Sequence, residues 1–402
     1  MDDGWTRKDE RVRMNEDIAV VVVGAGPAGS SAAEAAATLG ASVLMVDRKS
    51  EIGSPVQCGG FLPEASELQK LLPRARLPQT LSEIPERCIL HRTRWQRVYS
   101  PSGDAKQFAV AGRVLDRRAF DRHLAARAAR AGARVLPAAR AKINEGAIEL
   151  SGHFRGRIHP KVIIGADGPH SMVSRAMNNP PQEMGICLEY EMADAKIDPD
   201  AVEMYFSAHF APGGYAWIIP TGQDTTNVGV GVRASYLSGQ SLPDILDRFV
   251  REHPVAREKL AGGEILAVMR GAVPAGGSVA AIQKGNMLLA GDAAGQVMAT
   301  SGGGIPLAVV AGRIAGEATA GHLQGNMPLA NYSSRIRDEF GIQLARSVQL
   351  RKMVDMSMRS DRLMNTLFAA LSPAQIKSVM RAQIPEIFSS RAWQRDGSNQ
   401  SD

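Results

Sequence analysis

The chain has 402 residues, 44% of them hydrophobic and 22% charged, with a formal net charge of +6, the profile of a soluble globular protein with two or three structural units. Its three cysteines, Cys58, Cys88 and Cys187, are too few and too odd in number for a disulfide framework and lack metal-ligand spacing, which points to a reducing, cytoplasmic setting and no bound metal. No Lys/Arg run interleaved with aromatics marks a nucleic-acid surface, and no stretch of about 18 apolar residues could span a bilayer.

Residues 1–17 mix both charge signs and read as a loose tail. Ile18 to Val23 is a continuous β-branched run, which predicts a strand buried on both faces of a parallel sheet. Ser30 to Leu39 is an Ala-rich helix stopped by Gly40, and Ser42 to Val46 is a second buried strand. Between the first strand and the helix lies Gly24-Ala-Gly26-Pro-Ala28-Gly29. In such a turn the first glycine makes the bend, the second lets backbone approach a pyrophosphate, and the third lets helix pack on strand. The phosphate charge then sits on the free N–H groups of the helix start. Asp47, followed by Arg48, ends the second strand, where a carboxylate accepts hydrogen bonds from a ribose diol and repels a 2′-phosphate. The unit therefore reads as a site for FAD or NAD, not NADP.

Residues 50–85 carry Gly53, Pro55, Gly59, Gly60 and Pro63 and read as loop. Ile89 to Tyr99 alternates apolar with polar and predicts a hairpin turning at Gly103. Arg117 to Ala131 is helical, with Phe120, Leu124 and Ala128 on one face. A buried strand at Val162–Ile164 runs into Gly165-Ala-Asp167-Gly168, with Ser171 and Arg175 soon after. Residues 183–235 are strand-rich and start a second domain, and Ser241 to Glu252 reads as a short helix. Met287 to Ala290 is again a buried strand, and it delivers Gly291-Asp292 at its carboxyl end, where ligands sit in sheets of this kind. Gly302-Gly303-Gly304-Ile305 then opens a helix to about His322, with Pro306 in its first turn. An aspartate so placed can bind the ribityl hydroxyls of a flavin, and the helix start stabilises an anionic reduced flavin. From Asn331 onward the chain is helical and rich in Met, Arg and Leu, punctuated by Pro373 and Pro385.

These three glycine clusters, in this order from residue 24 to residue 304, resemble those of the flavoproteins that include aromatic hydroxylases and geranylgeranyl reductases. The resemblance implies FAD held by Gly24, Gly26, Ala28, Gly29, Asp47, Arg48, Cys58, Gly59, Asp167, Gly168, Gly291, Asp292, Gly303, Gly304 and Ile305. It also implies an arginine near the pyrophosphate, Arg117 or Arg113.

Two further segments resemble those of the archaeal geranylgeranyl reductases. Gly53-Ser-Pro55-Val-Gln57-Cys58-Gly59-Gly60 is similar to a loop that lies against the isoalloxazine in that family, with Gln57 where a basic residue is common and Gly60 where an acidic one is. Pro212-Gly-Gly-Tyr215-Ala-Trp217-Ile-Ile219-Pro220 is similar to the segment lining the family's lipid cavity, with Ile219 in place of Phe. Tyr215, Trp217 and Pro220 are thereby expected at the substrate, and Cys58 and Tyr215 are the nameable acids for protonating an isolated alkene, with ordered water a third source. The implied activity is FAD-dependent saturation of geranylgeranyl double bonds in archaeal ether-lipid precursors such as digeranylgeranylglyceryl phosphate. The nearest alternatives are reduction of geranylgeranyl diphosphate or of a chlorophyll side chain, and an FAD monooxygenase of aromatic substrates. The resemblance allows NAD(P)H, a ferredoxin or a deazaflavin as electron donor, so a small electron-carrier protein is one expected partner beside the isoprenoid lipid.

The C-terminal Arg346, Leu350, Arg351, Met353, Met356, Met358, Arg362, Leu363 and Met364 mix basic and soft apolar side chains, which suits either packing on the substrate domain or a peripheral contact with the inner membrane face. The expected class is α/β: a Rossmann-like FAD-binding domain with an inserted antiparallel β-sheet substrate domain and a helical C-terminus. Its boundaries are a tail 1–17, an FAD domain of 18–84 with 106–175 and 283–325, a substrate domain of 85–105 with 176–282, and helices over 326–402.

Overall fold

Four consecutive valines make β1 (Val20–Val23), and all four are buried, in a computed structural model that describes residues 18–384. The expected tail 1–17 and Pro385 lie outside the described residues. After β1 the chain enters α1 (Pro27–Thr38), slightly earlier than expected, because Pro27 lacks the N–H that a helix start leaves unpaired. β2 (Val43–Val46) pairs parallel to β1 and completes the βαβ unit. Residues 50–85, expected as loop, hold β3 (Phe61–Pro63), α2 (Ala65–Leu71) and α3 (Gln79–Ser82), elements too short to show a period.

β4 (Ile89–Tyr99) and β5 (Ala105–Leu115) form the expected hairpin, and Gly103 takes the positive φ of its turn. The Asp116 carboxylate accepts the Ala119 N–H and so caps α4 (Arg117–Arg130), which leads to β6 (Arg134–Leu136). A three-stranded sheet not foreseen from the sequence, β7 (Ala139–Asn144), β8 (Ala147–Gly152) and β9 (Gly156–Ile158), precedes β10 (Val162–Gly165) and α5 (Met172–Ala176). The inserted region then supplies β11 (Met184–Ala193), β12 (Ala201–Tyr205), β13 (Tyr215–Pro220) and β14 (Thr225–Arg233). It closes with α6 (Leu242–Glu252), α7 (Ala256–Leu260) and β15 (Glu264–Pro274). β16 (Gln283–Lys284), β17 (Met287–Leu289) and α8 (Ile305–Leu323) return to the first domain. The last helices are α9 (Asn331–Ile336), α10 (Ile342–Val354), α11 (Asp361–Ala370) and α12 (Pro373–Met380).

The first sheet runs β16-β17-β10-β1-β2-β6 and is parallel apart from the β16–β17 pair. α1 and α8 cover one of its faces at close range, because a Cβ on Gly312 or Gly316 would lie 2.2 or 2.3 Å from the Ala28 or Ala32 carbonyl oxygen. The second sheet runs β15-β11-β14-β13-β12-β4-β5-β3. It takes in residues 61–63 and all of β5, so the expected assignment of 18–84 and 106–175 to the cofactor domain needs correcting there. The hairpin keeps pairing along its whole length, and β12 joins β4 in parallel, with Ala201 opposite Trp95. On one face of this sheet Leu188, Tyr190, Ile218, Val228 and Val230 pack with Ile245, Leu246 and Phe249 of α6. The opposite face carries Cys187, Glu189, Trp217 and Ile219 and looks back at the first domain. No helix among the described residues is long and apolar enough to cross a membrane.

Candidate active site

A cavity of about 490 Å³ lies between the two sheets, and Gly26, Ala28, Asp292 and Trp217 all line it. At its first-domain side the glycine turn is built as its spacing demands. A Cβ on Gly24, which has φ +103°, would stand 2.2 Å from the Ala166 oxygen, and one on Gly29 would stand 1.8 Å from the Gly24 oxygen. A Cβ on Gly26 would meet nothing within 4 Å, so backbone there faces open space. Gly26 is the N-cap of α1 and no side chain caps that helix, which leaves its first N–H groups for an anion. Asp47 ends β2, where Oδ2 accepts the Ala25 N–H and Oδ1 the Lys49 N–H, both at 2.8 Å. Its carboxylate thus braces the turn, and Arg48 beside it is exposed.

The second cluster divides its labour. Ala166 and Gly168 line the cavity, but the Asp167 carboxylate accepts from Ser171 Oγ and the Met172 N–H, both at 2.6 Å, and holds the start of α5. The third cluster faces the cavity directly. Asp292 takes no hydrogen bond on its carboxylate from any described residue, and burial pushes its pKa up to about 6 against the opposing pull of Arg117. Gly303, Gly304 and Ile305 line the same space at the start of α8, which no side chain caps. An uncapped helix start beside a glycine turn, an unpaired carboxyl and a second uncapped helix start together fit a flavin dinucleotide.

The two arginines part company. Arg117 lines the cavity and forms a two-pronged ion pair with Asp121, at 3.2 and 3.1 Å. Burial opposes its charge, but Asp121 and then Cys58 outweigh that and hold it charged. Arg113 is outside the cavity lining: it donates to the Leu81 carbonyl at 2.9 Å and pairs with Glu64 at 3.2 Å, locking α3 in place. Strand alternation explains the correction, since Val114 packs against Trp217 and Ile219 behind the cavity wall and its neighbour Arg113 must face away.

The loop from Gly53 to Gly60 crosses the cavity. Cys58 Sγ accepts the Gly60 N–H at 3.4 Å, next to Arg117. A Cβ on Gly59 would fall 2.7 Å from Ile219 Cδ1 and 3.1 Å from Asn227 Oδ1, so the loop rests on the second sheet only because Gly59 has no side chain.

That sheet face is ordered by register. Glu189 of β11 lies opposite Gly229 of β14, which lies opposite Trp217 of β13. The next row is Cys187, Gly231 and Tyr215. The glycines make room for the aromatic rings, and a Cβ on Gly229 would come 2.3 Å from Trp217 Cζ2. Trp217 and Tyr215 therefore line the cavity as expected, and Ile219 joins them. Pro220 does not line it, because alternation turns Ala216, Ile218 and Pro220 to the other face. The Tyr215 hydroxyl donates to the Ser301 carbonyl, pinning the loop before α8. Burial first, then Cys187, Cys58 and Glu189, push that hydroxyl above the ordinary tyrosine range, so Tyr215 fits poorly as an acid.

Sequence reasoning missed Glu189 and Asn227. Trp217 Nε1 donates to Asn227 Oδ1 at 2.7 Å, and Asn227 Nδ2 donates to Glu189 Oε2 at 3.0 Å. Glu189 is 2% exposed, and burial lifts its pKa to about 7 against the Asn227 hydrogen bond and the Arg117 charge. The signal available was Asn227-Val-Gly229-Val-Gly231-Val, a strand whose second face is small or polar throughout.

Of the C-terminal residues expected to pack inward or meet a membrane, Leu350, Arg351 and Met364 are buried and Met358 lines the cavity. Arg351 pairs with Glu183 at 2.9 Å, while Arg346, Met356, Arg362 and Leu363 face solvent.

Residues 183–273 match the family described as the geranylgeranyl reductase catalytic domain, and residues 22–58 match an NAD(P)-binding Rossmann-like domain. The chain is 35% identical over 381 residues to digeranylgeranylglycerophospholipid reductase 2 of Methanopyrus kandleri, covering 90% of this chain and 93% of that one. It is 34% identical over 372 residues to the digeranylgeranylglycerophospholipid reductase of Methanocaldococcus jannaschii, covering 87% and 90%. The solved structure of a geranylgeranyl bacteriochlorophyll reductase-like protein from Thermoplasma acidophilum superposes with a TM-score of 0.78 at 28% identity, covering 90% of this chain and 94% of that one. A myxobacterial FAD-dependent chondrochloren halogenase shares the fold alone, with a TM-score of 0.65 at 18% identity over 92% of this chain and 98% of that one.

Proposed function

The chain belongs to the digeranylgeranylglycerophospholipid reductase family, and on that premise we propose that it saturates the geranylgeranyl double bonds of an ether-lipid precursor such as digeranylgeranylglyceryl phosphate. One observation carries the reading: a single cavity joins the flavin-type groups, Gly26, Asp292 and the start of α8, to an apolar wall of Trp217, Ile219, Phe108 and Val110. A flexible isoprenoid gains roughly 25 cal/mol for each Å² of apolar surface that such a wall takes out of water.

FAD is the cofactor, and in its reduced form it supplies a hydride equivalent. Gly24, Gly26 and Gly29 hold its ADP end, Asp292 its ribityl hydroxyls, and Gly303, Gly304 and Ile305 its ring end. Asp47 keeps the dinucleotide turn in shape and Arg117 places positive charge at the pyrophosphate. The Cys58 loop closes the site over the reacting alkene and excludes water. Tyr215 fixes the Ser301 loop against the substrate wall. The reducing equivalents come from an external donor: NAD(P)H, a ferredoxin or a deazaflavin.

The test is anaerobic incubation of the yellow holoprotein with dithionite and digeranylgeranylglyceryl phosphate, read by mass spectrometry. Mass gains in steps of two hydrogens are expected. A lipid left unchanged by reduced enzyme would overturn the substrate assignment, and oxygen-dependent hydroxylation of a phenol would replace it with the monooxygenase.

A further inference from the structure

An isolated trisubstituted alkene has no carbonyl to take up electrons, so its reduction needs a proton delivered to one carbon as hydride reaches the other. The groups that can hold that proton in the cavity are few. The Tyr215 hydroxyl is engaged by the Ser301 carbonyl. Cys58 Sγ accepts the Gly60 N–H at 3.4 Å and sits against the Arg117 guanidinium, so it is engaged by the loop and by α4, and burial pushes the Cys187 thiol up to about 12. Asp292 belongs to the cofactor side of the cavity.

Glu189 differs from all of these in its placement. It lies on the substrate wall, in the same cross-strand row as Trp217. Its Oε2 is fixed by Asn227, which is itself fixed by Trp217, while Oε1 takes no hydrogen bond from any described residue. Gly59 lies against Asn227 and Trp217, and Glu189 itself lines the cavity.

We propose that Glu189 is the catalytic acid of the saturation reaction, held by the Trp217–Asn227 pair with its free oxygen toward the alkene. This rests on the reductase reading above. In the step the Glu189 O–H bond breaks and a C–H bond forms on one alkene carbon. The other carbon takes the hydride equivalent that the reduced flavin supplies, so the alkene gains two electrons and the flavin loses two. The Glu189 carboxylate then regains a proton from solvent. The ionisable groups that act on Glu189 or feel its charge are Arg117 from α4, Cys187 on the same strand and Tyr215 from β13, and Cys58 from the loop acts on the latter two. Its burial keeps the acid form populated up to about pH 7.

The experiment compares wild type, Glu189→Gln and Glu189→Asp as flavin-loaded proteins, with dithionite as reductant and digeranylgeranylglyceryl phosphate as substrate. Wild type is expected to saturate the lipid, with kcat falling as pH rises through about 7. Glu189→Gln is expected to bind FAD normally and lose about 100-fold or more in kcat, in the range for a missing general acid. Glu189→Asp is expected to recover part of that loss. Infrared difference spectra of the flavin-free proteins, with glutamate carboxyls isotope-labelled to separate them from Asp292, are expected to show a protonated carboxyl that ionises near neutrality in wild type and is missing in Glu189→Gln. Turnover in Glu189→Gln within about threefold of wild type would overturn the proposal, as would equal inactivity of the Gln and Asp variants, which signals shape and not proton supply. If Glu189→Gln does not fold, absence of the labelled band from wild type overturns it alone. Failure of wild type itself to reduce the lipid would instead sink the reductase reading.

Discussion

On β14, Val228 and Val230 turn toward α6, while Asn227 and Gly229 turn toward the Trp217 ring and Gly231 lines the cavity. The two sets differ by one residue of register and obey different rules. The α6 side asks only for apolar volume, so valine, leucine and phenylalanine fill it without gaps. The cavity side needs room for a ligand, so glycines clear space, aromatic rings lie across them, and a glutamate is buried where water is scarce. A packed face tolerates any well-fitting hydrophobe, whereas a binding face is specified by what it leaves out.

The sharpest way to separate the faces is to damage the packed one. Phe249 is fully buried on α6, with its ring 5.1 Å from that of Tyr205. Phe249→Ala is expected to cost about 3–5 kcal/mol in denaturant unfolding, from lost burial plus the cavity left behind. The molecules that stay folded should keep their flavin spectrum and their turnover, because Phe249 does not line the cavity. Lost turnover in the folded fraction would mean that the two faces are not independent.

The next effect has the opposite sign. Burial raises the Glu189 pKa from the ordinary glutamate value of 4.5 to about 7. A carboxyl raised in this way favours the folded state fully below its unfolded pKa, and that favour is lost as pH rises through the folded pKa. Above about pH 7 the fold therefore carries a buried charge, and Glu189→Gln removes it. The variant is expected to be more stable than wild type at pH 8, by up to about 3 kcal/mol, with the difference shrinking toward pH 5. Thermal melts across that range check it, and a constant difference at all pH values would contradict the assigned ionisation. A site that gains stability when its acid is removed is the behaviour expected of a functional residue on a binding face.

These contrasts also explain what the sequence could disclose. The glycine turn is legible because Gly24, Gly26 and Gly29 stand at fixed spacing between a strand and a helix of one βαβ unit, although the backbone that Gly24 must clear is that of Ala166 beyond β10. The Gly291-Asp292 segment and the helix beginning at Ile305 were legible for the same reason. Glu189 was not, because an alternating strand such as Cys187-Leu-Glu-Tyr190 reads equally well as facing solvent or facing a cavity. Arg113 and Pro220 failed on register, since one residue of alternation decides the face and only cross-strand pairing fixes it. The β3–β5 pairing, Phe61 with Val114, and the parallel β4–β12 pairing, Trp95 with Ala201, join residues far apart in the chain, which no local pattern encodes.

Within the cavity face, the two glycines of β14 should themselves be unequal. A Cβ at position 229 would come 2.3 Å from Trp217 Cζ2, and that ring is held by its hydrogen bond to Asn227 and covered by Gly59. Gly229→Ala must therefore displace the ring, with an expected loss of about 1–3 kcal/mol and of lipid turnover while FAD still binds.

At position 231 the nearest atoms are Cys187 Sγ at 3.3 Å and Trp217 Cζ3 at 3.4 Å. These distances ask a neighbour to move by only tenths of an ångström. The thiol of Cys187 can turn about its own Cα–Cβ bond, and Gly231 has no positive φ that an alanine would strain. Alanine also removes some of glycine's freedom in the unfolded chain, which offsets part of the crowding. Gly231→Ala should then change stability by under about 1 kcal/mol and lower turnover by less than about tenfold. Chemical denaturation and single-turnover lipid reduction on the two alanine variants measure the contrast directly. Equal damage from both would mean that the face tolerates no added volume anywhere, and that its glycines serve the substrate and not the Trp217 ring.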